Sequence, residues 1–122
     1  MSRRLREITV CAVVVLALPF LSGWAPLDSN KVQNANRLFA DGKYAQAQEK
    51  YVSAQAKNPN SPELYYNIAD VKYRMKEYPQ AEEILKKVIQ SPASPVQQKA
   101  FYNLGNTKVR QGQLEEALNF YK

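Results

Sequence analysis

The side chains most often used for catalysis are almost missing from this chain. It has no histidine, and its single cysteine, Cys11, lies in an apolar run near the N-terminus. Beyond that run nothing supplies a thiolate, an imidazole base or the soft ligands of most metal sites. One cysteine also excludes a disulfide within the chain. Four glycines are scattered and form no phosphate-binding loop. The carboxylate pairs Glu82-Glu83 and Glu115-Glu116 are adjacent in sequence. Neighbours on a helix diverge by about 100°, so such pairs do not converge on a substrate. They are expected to be solvated surface. Neither catalysis, nor a cofactor, nor a bound metal is expected.

Recognition chemistry is better represented. Eight tyrosines in 122 residues are an excess, and arginines and lysines raise the formal net charge to +6. Three of the cations, Arg3, Arg4 and Arg6, belong to the N-terminal segment. The others are interleaved with acids and form no concentrated stripe, so nucleic-acid binding is not expected. An acidic partner or an anionic membrane surface is compatible with the charge.

The elements that must position these groups are helices. From Leu64 to Ile89 the apolar residues recur at helical spacing in two runs. Tyr65, Ile68, Ala69 and Tyr73 make the first; Tyr78, Ala81, Leu85 and Val88 make the second. A polar break and Pro79, suited to a first helical turn, separate them. The pattern predicts two antiparallel helices joined by a tight turn. The same unit appears about 34 residues upstream as NANRLFADGKYAQAQEKYVSAQAKNP and about 36 downstream as FYNLGNTKVRQGQLEEALNFYK.

A period near 34 with this pattern resembles the tetratricopeptide repeat (TPR) family. The small residue of the first helix is Ala35, Ala69 and Gly105. Gly42 and Gly112 mark turns, with Lys76 in the middle copy, where a left-handed backbone would cost about 1 kcal/mol and a rearranged turn would avoid it. Tyr44, Tyr78 and Leu114 open the second helix, Ala47, Ala81 and Ala117 let the two helices cross, and Tyr51, Leu85 and Tyr121 come next. The resemblance implies an all-α solenoid of helical hairpins, about two and a half to three repeats, over residues 28–61, 62–97 and 98–122. The first copy carries Lys31 and Asn34 where later copies are apolar, which suits a solvated end. Ser61-Pro62-Glu63 and Ser94 with Gln97 are expected to cap the second and third repeats.

The resemblance also implies a concave groove lined by the first helix of each repeat. It places Val32, Asn36 and Phe39 there from the first copy. The second gives Glu63, Tyr66, Asp70, Tyr73 and Arg74; the third gives Lys99, Tyr102, Asn106, Val109 and Arg110. Tyrosine and arginine on a rigid surface suit capture of a protein or peptide segment. TPR cochaperones hold a terminal carboxylate with Lys, Asn, Asn, Lys and Arg. Here those places hold Val32, Asn36, Asn67, Lys99 and Asn103, so two of three cations are missing and that clamp is not expected.

Residues 1–27 are of another kind. Three arginines precede an uncharged run from Ile8 to Leu27, the layout of a signal peptide or of an N-terminal hydrophobic anchor helix, with cleavage left open. The arginines are expected to stay cytoplasmic and the chain after Leu27 to be exported. The protein is therefore expected to be a scaffold or adaptor of the bacterial cell envelope, periplasmic or held to the membrane. Its repeats are similar to the TPR components of bacterial aerotolerance operons, which implies a membrane-protein partner. The alternative is an envelope assembly or secretion accessory protein, with any catalysis in sequence beyond Lys122. Leu114, Ala117, Leu118 and Tyr121 form an apolar face on the last helix, so a continuing chain, a partner or self-association is expected to cover them.

Overall fold

Each hairpin of this chain has one apolar side and cannot bury it alone, so neighbouring hairpins stack. The computed structural model describes residues 29–92 and 94–122. The expected leader, residues 1–27, lies outside the described residues. Six helices occur among them and no strand: α1 (Ser29–Ala40), α2 (Tyr44–Lys57), α3 (Pro62–Arg74), α4 (Tyr78–Ile89), α5 (Gln97–Arg110) and α6 (Leu114–Tyr121). Each packs on the next in sequence, and α3 also touches α5. None of the described helices is long and apolar enough to cross a membrane.

Three turns of one kind close the hairpins. Lys43, Glu77 and Gln113 donate their backbone N–H to the carbonyls of Leu38, Lys72 and Lys108, each at 2.9 Å. Gly42, Lys76 and Gly112 donate to Phe39, Tyr73 and Val109, each at 3.0 Å. This double bond pattern satisfies the last carbonyls of a helix and needs a left-handed residue after it. Gly42 and Gly112 supply it at φ 75° and 78°, and Lys76 adopts it at φ 61°. The turn is not rearranged around the lysine; the hydrogen-bonded geometry outweighs the side-chain clash.

Helix starts agree with the sequence in one place and depart from it in another. Ser61 caps α3, its hydroxyl accepting from Leu64 N–H at 3.4 Å, with Pro62 in the first turn. At α5 the expected capping box does not form. The helix begins at Gln97, and the Gln97 side chain donates instead to the Ile89 carbonyl at 2.8 Å, tying α5 to the end of α4. That carbonyl sits at an open helix end and lacks a helical partner.

The core divides between the two hairpin junctions. Ala35, Ala47, Tyr51, Ala54, Leu64, Ile68 and Val71 join α1, α2 and α3; Ala69, Leu85, Val88, Ala100 and Leu104 join α3, α4 and α5. Ala47, Ala81 and Ala117 are fully covered at the helix crossings. Gly105 makes room for the Tyr121 ring: a Cβ there would displace that exposed side chain from its place on α5. On α6 the structure separates Ala117, buried against α5, from Leu114, Leu118 and Tyr121, which are exposed.

One charge is also core. Lys108 is 6% exposed, and its ammonium reaches Glu82 at 2.8 Å, Glu116 at 2.9 Å and the Gln113 amide oxygen at 2.9 Å. Glu82 is therefore not the solvated residue expected from its adjacency to Glu83. It is mostly covered and paired with Lys86 and Lys108, because α5 packs over the face of α4 that carries it. Burial alone would raise the Glu82 pKa, but hydrogen bonds from Lys108 and Lys86 outweigh it and hold the carboxyl below its ordinary 4.5.

Two outcomes are expected. Lys76→Gly should stabilise the chain by up to about 1 kcal/mol in denaturant titration, since relief of the left-handed penalty exceeds glycine's entropic cost. Lys108→Met should cost about 1–3 kcal/mol at neutral pH by leaving the mostly covered Glu82 with only the exposed Lys86 as partner. Because the folded-state pKa of Glu82 is depressed, the contribution exists above its ordinary value and fades as pH falls through the lower one. The gap between wild type and variant should thus shrink below about pH 4.5. An unchanged gap at acid pH would show that the ion pair is not what stabilises this junction.

Candidate functional site

The first helices of the second and third hairpins are bonded side by side through polar groups. The Asn103 amide donates to the Tyr66 hydroxyl at 3.0 Å, and Arg110 Nε donates to the Tyr73 hydroxyl at 3.1 Å. Between these bonds lies a cavity of about 290 Å³ lined by Asp70, Tyr73, Arg74, Asn103, Asn106 and Arg110. All six come from α3 and α5. Helical spacing explains the set: 70, 73 and 74 share one face of α3, as 103, 106 and 110 share one face of α5.

All the lining groups but Asp70 are held by a bonded or stacked neighbour. Tyr73 stacks edge-on against Tyr78, ring centroids 5.4 Å apart, which steadies its hydroxyl. The bond to Tyr73 raises the Arg110 pKa still further, so that side chain stays charged and is turned along the rim. The Arg74 guanidinium lies 5.9 Å from the centre of the Phe39 ring, a cation–π contact that sets it at the other rim. Asn106 accepts from the Tyr121 hydroxyl at 2.7 Å. Asp70 is half-buried, and burial raises its carboxyl pKa while Arg74 opposes the rise. The cavity thus has a carboxylate inside, amides and a phenol along its wall, and two arginines at its edge.

Of the thirteen residues expected along the groove, five line this cavity: Asp70, Tyr73, Arg74, Asn106 and Arg110; Val32, Glu63 and Val109 do not. Tyr66 stands behind it, committed to Asn103. Asn36 and Phe39 lie on α1. Asn36 accepts from Tyr51, and Phe39 packs on the first core cluster and edge-on to Tyr44, 5.4 Å between centroids, besides carrying Arg74. Lys99 and Tyr102 are exposed and outside the lining; Tyr102 leans on Tyr121, 5.7 Å between centroids. Asn103 is the lining residue absent from that set. Its spacing from Asn106 and Arg110, three and then four further along α5, marks the same helix face.

Among the described residues no group of three histidine, cysteine or carboxylate side chains gathers as a metal would need. The polar set offers charges and hydrogen-bonding groups to a ligand; no nucleophile in it is paired with a base.

Comparison with known proteins agrees with this architecture. The chain is similar to the second TPR of Spaghetti (RPAP3), a structure bound to the HSP90 peptide SRMEEVD. It is 26% identical over 79% of this chain and 87% of that one, with a TM-score of 0.69. It is also similar to the first TPR of the same protein, bound to the same peptide. There it is 28% identical over 78% of this chain and 77% of that one, with a TM-score of 0.68. No curated protein matches it. Tetratricopeptide repeat signatures match residues 38–98 and again 98–122, across the hairpins that these turns, crossings and small residues build. The chain belongs to the tetratricopeptide repeat family.

Proposed function

We propose that this protein is a non-catalytic interaction scaffold that captures an acidic peptide segment in the cavity between α3 and α5. The observation that carries the reading is the rim. Arg74 and Arg110 are both exposed, both anchored by an aromatic neighbour, and both open to a ligand's carboxylates. Forked guanidinium donors on preset side chains lose little freedom on binding. Support also comes from the two TPR structures, which carry an acidic peptide, SRMEEVD. The reading does not extend to the terminal-carboxylate clamp, because Val32 and Asn103 stand where that clamp needs cations, and Asn103 is spent on Tyr66.

The cellular setting is part of the proposal. The uncharged Ile8–Leu27 run behind Arg3, Arg4 and Arg6 supports export, with the repeats outside the cytoplasmic membrane. The scaffold would then serve a bacterial cell-envelope assembly beside a membrane protein, as the likeness to aerotolerance-operon components suggests. An assembly or secretion accessory that holds its substrate would use the same groove.

Two measurements test these readings. Panning a displayed random-peptide library on the full chain should enrich segments rich in Asp and Glu. Arg74→Glu with Arg110→Glu should reduce their binding by roughly thirtyfold or more. Melting should move little, since exposed substitutions shift stability by less than about 0.5 kcal/mol. Undiminished capture by the folded double variant would place the binding surface elsewhere. For location, a phosphatase fused after Lys122 should be active only if exported; activity confined to a cytoplasmic reporter would end the envelope reading.

A further inference from the structure

Aligned by their turns, the three hairpins share a polar pair that the middle one breaks. In the first, the Tyr51 hydroxyl donates to Asn36 Oδ1; in the third, the Tyr121 hydroxyl donates to Asn106 Oδ1 at 2.7 Å. Both pairs are fifteen residues apart. The corresponding residues of the middle hairpin are Asp70 and Leu85. The substitution removes the hydroxyl and adds a charge at the same place.

The consequence is a carboxylate that opens into the cavity with no bonded protein partner. Among the described residues Asp70 makes no hydrogen bond or ion pair with its side chain. Of its neighbours, Tyr66 accepts the Asn103 amide and keeps its own hydroxyl proton, and the others are engaged elsewhere. Tyr51 gives its proton to Asn36, although Asp70 lies close enough to help raise the Tyr51 pKa to about 12, after burial as the main cause. Arg74, one helical turn along and the natural partner, lies over Phe39, and Arg110 is turned to Tyr73. A half-buried charge left unpaired is costly, and asparagine, present in both sister hairpins, would avoid the charge. Nothing in the packing of this hairpin needs the aspartate.

We infer that Asp70 is a specificity group for the bound segment, receiving a lysine or arginine side chain while Arg74 and Arg110 hold the acidic residues on either side. The inference rests on the groove reading and narrows it: the partner segment carries both signs, not acid alone. An ionised carboxylate only accepts hydrogen bonds, so it selects a donor, and a cationic donor gives the stronger, charge-assisted bond. Discrimination comes from repulsion as well. A purely acidic segment would bring its carboxylates against Asp70 with nothing between them.

The test is fluorescence anisotropy on the full chain in detergent with two labelled synthetic peptides. Both have a Glu-rich, Gly/Ser-spaced background; one carries a central lysine and the other norleucine in its place. Wild type should bind the lysine peptide about tenfold more tightly. Asp70→Asn should erase that preference, tighten binding of the norleucine peptide and raise the melting temperature. Equal binding of the two peptides by wild type, or a preference that survives in Asp70→Asn, overturns the inference while leaving an acidic-peptide groove intact. If wild type binds neither peptide, or Arg74→Glu with Arg110→Glu binds both unchanged, the groove reading itself fails and the inference falls with it.

Discussion

Close approach of two helices at a residue with almost no side chain is the constraint on which everything else rests. Ala47, Ala81 and Ala117 are covered to 0–1% exposure where the second helix of each hairpin crosses the first. The small residues of the first helices, Ala35, Ala69 and Gly105, are likewise buried. A larger side chain at these places would drive the helices apart or force strained rotamers. Separation would also undo the next contacts along, because the residues one and two turns further, Tyr51 and Ala54 on α2 and Leu85 and Val88 on α4, are buried where the following hairpin packs on them. The solenoid is thus a chain of dependencies from one crossing to the next.

The two junctions solve the same packing problem differently. Between the second and third hairpins, Glu82 on α4 reaches Lys108 on α5, and Glu116 on α6 closes the group. Between the first and second, Gln48 takes the place of Glu82, and Lys72 pairs within its own turn with Glu77 at 2.7 Å. There a cavity of about 460 Å³ opens between Gln48, Glu49, Val52, Lys72, Met75 and Glu77. Where the one junction carries an ionic seam, the other carries an open surface depression. The better-tied junction is the one beneath α3 and α5, so the rows of groups facing the candidate groove rest on the firmer half.

The groove itself shows how repetition produces a site. Three copies of one hairpin set the same positions in register, and small departures at those positions make the surface particular. Asparagine with a tyrosine partner recurs in the outer copies; aspartate with leucine interrupts it in the middle. Aromatic rings then fix the long cations, Phe39 under Arg74 and Tyr73 beside Arg110. Side chains that would otherwise lie free over the surface are given a direction.

Much of this was legible in the residues alone. Helical spacing around Ala69 and Ala81, the glycines at 42 and 112, and the period near 34 determined the hairpins and their order, because these rest on local geometry and on a pattern repeated along the chain. Five of the six cavity residues were also named, but through the resemblance to TPR first helices, which implies which face of α3 and α5 is concave; spacing alone states only which residues share a face. What only the tertiary structure decided depends on partners distant in sequence. Lys108 reads as one more surface lysine until α4 and α6 bring two carboxylates to it. Asn103 reads as a failed clamp residue until Tyr66, 37 positions away, accepts its amide proton. Asp70 reads as one polar residue among many until the hydroxyl that satisfies its sisters proves to be missing at Leu85. Periodicity states which way a side chain points; only the folded arrangement states what waits for it there.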